Sequence, residues 1–329
     1  MSCWSLKPTQ KHQGKRSDVR ILVTGASGLL GLNFCLAKNS DFDVIGIANQ
    51  THFHALPFPI INLDLTLDGS IPKVLDQTYP NLVINCAAMA NVDQCEAFPE
   101  KAVRINAEIP GIIANECAHR SIPLIHISTD AVFDGIDGDY CESDIPNPIS
   151  VYSKTKYQGE MNVLDAFPSA LVARVNFFGF SVSGKRSLAE FFLNSLLEGE
   201  CVFGFTDIFF SPLYVIDLID ILMEISRKEL SGIYHIVSRD TLSKYAFGML
   251  ISEKFGLDGK LINPKSHLQS NLVAKRSPNL KLDINKLQSA GIEIPDVALA
   301  VDHFYKDYQA GVANTIRSFV RRDMTMEEK

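Results

Sequence analysis

Long apolar runs, a disulfide pattern and a basic surplus are all missing from this 329-residue chain. No stretch approaches the roughly 20 consecutive apolar residues that a bilayer-spanning helix needs. Lysine and arginine number 31 against 38 acids, for a net charge of −7. Cations so few and so scattered make no nucleic-acid footprint, and they form no membrane-surface patch. The seven cysteines are widely spaced and include no CxxC pair. That argues against a disulfide framework or a zinc site and fits free thiols in a reducing compartment. Residues 1–18 are polar and basic without an apolar segment, so they read as a tail and not as a secretory signal. The expectation is a cytoplasmic protein with a small-molecule partner, no nucleic acid and no membrane. The oligomeric state stays open, a homodimer included.

What is present is alternation. Apolar strand patterns at 19–23, 43–48, 60–61, 81–85, 123–127 and 170–175 are separated by helical patterns, chiefly 29–37, 99–120 and 152–166. Strands alternating with helices imply right-handed crossovers and a parallel sheet covered on both faces. The predicted class is α/β: a doubly wound parallel Rossmann sheet with a smaller mixed α/β C-terminal lobe. Residues 19–175 would form the dinucleotide-binding domain. Residues 176–329 would form a substrate lobe that interleaves with the sheet. Pro110 interrupts the 99–120 helix and, lacking an amide hydrogen, predicts a kink or break there.

The first strand runs into Gly25-Ala26-Ser27-Gly28-Leu29-Leu30-Gly31 and then a helix. That context is what a glycine-rich phosphate turn requires. Gly25 permits the tight turn, Gly28 lets backbone approach a pyrophosphate, and Gly31 lets helix and strand pack closely. Ser27 adds a hydroxyl, and Leu29 and Leu30 open the helix whose positive end faces the phosphates. An acid at the end of the second strand would accept the ribose hydroxyls of NAD. That strand ends at Asn49 without an acid, which leans the cofactor toward NADP(H) and leaves NAD(H) open.

Tyr152 is the one tyrosine of nine with a lysine four residues on, Lys156. At that spacing both side chains share a helix face. A nearby ammonium favours the phenolate and lowers a tyrosine pKa, which suits acid–base work. A solvent-facing pair at the same spacing is the other reading. Order favours chemistry: the glycine turn, then Ser128-Thr129 at a strand end, then Tyr152 opening a helix. His126, within that strand, reads as a core or edge histidine.

The segments TGASGLLG, INCAAMANVDQCE, ISTDAVFDG, VYSKTKYQGE and RSPNLKLD resemble the extended short-chain dehydrogenase/reductases, and within them the dTDP-4-dehydrorhamnose reductase branch. The resemblance covers about residues 19–310. It implies that Thr129 holds the substrate carbonyl, Tyr152 protonates it, and Lys156 lowers the tyrosine pKa and binds ribose. Asn106 would support the lysine through water. Asp64 and Leu65 would contact adenine, and Cys86, Ala87 and Ala88 would line the cofactor. Asp130, Asn176 and Phe177 would touch a nucleotide-sugar substrate, and Arg276 its diphosphate. Lys185 and Arg186 offer further cations for a diphosphate.

Three departures from the branch fall in the sugar pocket: Ala131, the Asp207-Ile208 and Ser211-Pro212 segments, and Phe177. The implied activity is reduction of the C4 ketone of a nucleotide-linked 4-keto-6-deoxysugar. Two alternatives accompany it: a non-catalytic dinucleotide-binding subunit like the methionine adenosyltransferase beta subunit, and a sugar-nucleotide epimerase.

Overall fold

A computed structural model describes residues 17–270 and 274–320. The tail expected over residues 1–18 lies outside the described residues except for its last two.

Six strands follow the predicted alternation: β1 (Arg20–Thr24), β2 (Asp43–Ala48), β3 (Ile60–Asn62), β4 (Leu82–Asn85), β5 (Leu124–Thr129) and β6 (Leu171–Val175). A seventh, Gly232–Ile236, pairs parallel to β6. The spatial order is Gly232–Ile236, β6, β5, β4, β1, β2, β3. The order reverses between β1 and β4, and ligands in open α/β sheets bind at such a switch point. Because the seventh strand comes from residue 232 onward, the C-terminal part of the chain is built into the sheet edge.

Side chains alternate across the sheet. Ile21, Val23, Ile84, Ile125, Ile127, Leu171 and Ala173 join one buried cluster. Leu22, Val83, Leu124 and Val172 join another on the opposite face. Both faces are therefore dry, which is why these strands read as continuous apolar runs.

The helices that matter for the site are α1 (Leu29–Lys38), α2 (Ser70–Thr78), α3 (Val92–Ala97), α4 (Pro99–Val103), α5 (Ile109–His119) and α6 (Val151–Ala166). Between α4 and α5, Arg104–Glu108 form a π-helical turn. This is the interruption expected at Pro110, displaced to the residues just before it. Pro110 has no amide hydrogen for the carbonyl of Asn106, four residues back, and its ring crowds that oxygen. Widening the turn relieves both problems.

The C-terminal region adds three two-stranded pairs, among them Phe177–Phe178 with Leu213–Tyr214. Its core is aromatic: Phe178, Phe180, Tyr214, Phe247 and Phe304 pack at ring separations of 4.2 to 5.9 Å. Fully burying one such ring stabilises by roughly 1.5–3 kcal/mol. No helix among the described residues is long and apolar enough to cross a membrane.

Candidate active site

The ends of β1, β4 and β5 open into one cleft of about 740 Å³. Gly28, Leu29, Leu30 and Gly31 line one side, with Cys86 and Ala88 beside them, and Ile127, Ser128, Tyr152 and Lys156 at the floor.

Sterics fix the glycine turn. Gly25 has φ +65°, and a Cβ there would lie 2.7 Å from both Ala87 N and Cys86 O. A Cβ at Gly31 would lie 2.4 Å from the Gly25 carbonyl oxygen. Gly28 caps α1 with its amide on Gly25 O at 2.8 Å. Ser27 is half-buried in the same turn. The first amides of α1 have no partner within the helix and face the cleft, which suits a pyrophosphate. These residues fit a dinucleotide: backbone donors, a helix N-terminus and no side chain to fill the cradle.

The adenosine end corrects one expectation. The second strand does end without an acid, but β3 pairs alongside β2. Asp64, just past β3, consequently comes near Asn49. Two bonds from Thr66, with a smaller contribution from Asn49, hold Asp64 below its ordinary range. A carboxylate thus does stand near Asn49. Leu65 is half-buried and packs on the core.

Tyr152 sits in the first turn of α6, which Ser150 and Ser153 close with a capping box. Its phenol comes near Thr129, the last residue of β5. The Thr129 hydroxyl accepts from Ala131 N at 3.2 Å and donates to Asp130 Oδ1 at 3.1 Å. Lys156 lies one turn further along α6, buried, with Nζ donating to the Ile127 carbonyl at 2.6 Å. The expected lowering of the tyrosine pKa does not appear. Burial dominates and pushes Tyr152 up to about 12, with Thr129 opposing it. Burial likewise pushes Lys156 down to about 8, against the attraction of Glu160 and Cys86.

Asn106 is buried in the π-helical turn. Its side chain accepts from Met89 N at 2.8 Å and donates to Met89 O and Thr155 Oγ1, both at 3.1 Å. These bonds tie the loop after β4 to α6. What lies against Lys156 is His126, with Nε2 at 3.5 Å from Nζ.

Just past β5, Asp130 and Asn176 are joined, Nδ2 to Oδ2 at 2.5 Å. Burial pushes Asp130 up to about 6 against bonds from Asn176, Thr129 and Ala131. Phe177 faces the main cleft, and a side pocket holds Asn176, Ala131, Ile208 and Lys244. Lys244, the first residue of its helix, went unnoticed in the sequence. Tertiary packing places it near Asp130 and Arg276, and nothing in its neighbours signals that. Arg276 borders both spaces and pairs with Asp93 at 3.2 Å. Lys185 and Arg186 line the main cleft with the glycine turn. Their loop is organised from beneath by buried Glu190, which accepts from Ser181 N, Ser181 Oγ and Arg186 N. Ala87 contributes its backbone, donating to Thr24 Oγ1 at 3.1 Å.

Known proteins match this arrangement. The zebrafish (Danio rerio) methionine adenosyltransferase 2 subunit beta is 30% identical, covering 84% of this chain and 86% of its own. The dTDP-4-dehydrorhamnose reductase of Bacillus anthracis, solved in complex with NADP, shares the fold at TM-score 0.79 and 24% identity, over 88% of this chain and 99% of that one. The probable low-salt glycan biosynthesis reductase Agl14 of Haloferax volcanii is 32% identical, covering 88% of this chain and 99% of its own. The family described as the RmlD substrate binding domain matches residues 19–310, and the chain belongs to that family, the dTDP-4-dehydrorhamnose reductase-like branch of the extended short-chain dehydrogenase/reductases.

Proposed function

We propose that this protein is a nicotinamide-dependent reductase of the C4 ketone in a nucleotide-linked 4-keto-6-deoxysugar. The observation that carries the reading is that Tyr152 and Lys156 line the same cleft as the glycine turn, with Thr129 near the phenol. The turn from Gly25 to Gly31, with Cys86 and Ala88, would hold the dinucleotide, which supplies hydride when bound. Thr129 orients the carbonyl oxygen and Tyr152 gives it a proton. Lys156 holds the ribose and balances the phenolate charge. Asp130, Asn176 and Phe177 border the sugar, and Arg276, Lys185 and Arg186 offer cations to the diphosphates.

The test mixes purified protein with a panel of nucleotide-linked 4-keto-6-deoxysugars and NADPH, then NADH, and reads nicotinamide absorbance. Turnover on one member is expected, and none on any member would overturn the reading. The paired runs also measure cofactor preference, which Asn49 and Asp64 pull in opposite directions.

The 30% identity to a methionine adenosyltransferase subunit favours a second reading, a dinucleotide-binding partner of a transferase. Stable co-purification with an adenosyltransferase, combined with inactivity on the whole panel, would select it.

A further inference from the structure

Four side chains from four elements form one buried line: Thr24 on β1, Asn85 on β4, His126 on β5 and Lys156 on α6. All four are at most 2% exposed. The line starts from a donor of fixed sense, the Ala87 backbone N–H, which bonds Thr24 Oγ1 at 3.1 Å. The threonine oxygen therefore accepts there, and its own proton goes to Asn85 Oδ1 at 2.6 Å. This orients the amide so that Nδ2 faces His126 Nδ1 at 3.0 Å. An amide NH₂ only donates, so Nδ1 is the acceptor and carries no proton. Burial, reinforced by the charge of Lys156, holds the ring well below the ordinary histidine range and excludes the doubly protonated form. The single ring proton is on Nε2, which faces Lys156 Nζ at 3.5 Å.

We propose that His126 is a positioning residue for Lys156: Thr24 and Asn85 fix the imidazole proton on Nε2, and that N–H favours the uncharged amine over the ammonium. The inference rests on the reductase reading for its consequence. Other groups facing Lys156 act the opposite way. The Ile127 carbonyl accepts from Nζ, and Glu160 and Cys86 favour the charged form. Burial pushes the lysine down to about 8, and the Nε2–H of His126 acts in the same direction. Under the reductase reading, a lysine so held is a proton store in the same cleft as Tyr152.

Asn85→Asp tests this with near-identical shape. A carboxylate accepts where the amide donated, so the ring proton moves to Nδ1 and Nε2 becomes an acceptor for the ammonium. Long-range ¹H–¹⁵N spectra of histidine-labelled full-length protein read the tautomer, with His126→Gln assigning the signal. The wild type is expected to carry its proton on Nε2 and the variant on Nδ1. The ¹³Cε resonance of Lys156 reads its titration, whose midpoint should rise by about one pH unit or more in the variant. A wild-type proton on Nδ1, or an unmoved midpoint in Asn85→Asp, would overturn the proposal. The wild-type spectrum decides the tautomer even if the variant fails to fold, and Thr24→Val, which frees the amide to turn, should mix the tautomers. None of these readouts needs substrate, so inactivity on the sugar panel would count against the reductase reading alone.

Discussion

A Cβ added to Gly159 would lie 2.1 Å from the carbonyl oxygen of Asn106. That oxygen is the one Pro110 leaves without its helical partner, at the π-helical turn. Gly159 lets α6 seat directly against it, two turns along from Tyr152. The proline, the bulge and the glycine thus set how closely α6 approaches the π-helical turn. Gly159→Ala should push the two apart at a cost of about 1–3 kcal/mol. Thermal melting would show this as a lowered midpoint, and an unchanged midpoint would mean the contact is soft.

Glu160, next on α6, forms a buried pair with Arg174 of β6. Nε approaches both carboxylate oxygens at 3.0 and 3.1 Å, and Nη2 lies 2.7 Å from Oε2. Ser128 Oγ adds a bond at 2.5 Å and the Phe133 ring stacks beneath the guanidinium, 5.1 Å from centroid to Cζ. Both side chains are at most 1% exposed. Breaking such a pair leaves one charge buried and uncompensated, so Glu160→Gln should destabilise by about 3–5 kcal/mol. Adding Arg174→Met should recover part of that loss in urea unfolding. A double variant weaker than the single one would contradict the explanation.

The sequence carried the sheet because each strand is a short apolar run bounded by turn residues, and it carried Tyr152 and Lys156 because their spacing is local, while Thr129 came from its motif. It did not carry the line through Thr24, Asn85 and His126, whose members are 61 and 41 residues apart and meet only by strand pairing. His126 therefore read as an ordinary core histidine. Asp64 was invisible as a neighbour of Asn49 for the same reason: β3 brings it there. Asn106 was found by motif, yet its bonds to Met89 and Thr155 depend on the bulge before Pro110. The sequence located that break without locating its effect.

Tyr152→Phe should separate chemistry from binding. The change removes one hydroxyl, which borders the cleft near Thr129. A lost general acid typically lowers turnover by about 10²–10⁴-fold. The glycine turn is untouched, so dinucleotide affinity from fluorescence titration should change little. Full turnover in this variant would remove Tyr152 from its assigned role.

Asp130 gives a pH signature of its own. Its carboxyl is raised from 3.8 to about 6 in the folded protein, chiefly by burial. A raised folded pKa means the protonated form is preferred on folding. That contribution to stability is fully present below the unfolded value, near 4, and is lost as pH rises through about 6. The difference of about two units corresponds to roughly 3 kcal/mol. Asp130→Asn keeps the shape and cannot ionise, so it does not lose that stability. The variant should match the wild type in urea unfolding near pH 4 and exceed it near pH 7.5, with the gap opening between. Under the proposed reductase reading it should also lose turnover, because the carboxyl bonds Thr129 and Asn176. A functional acid kept at a cost in stability is the pattern expected where binding chemistry and folding compete. A variant no more stable than the wild type at pH 7.5 would show that Asn176, Thr129 and Ala131 already offset the burial of the charge.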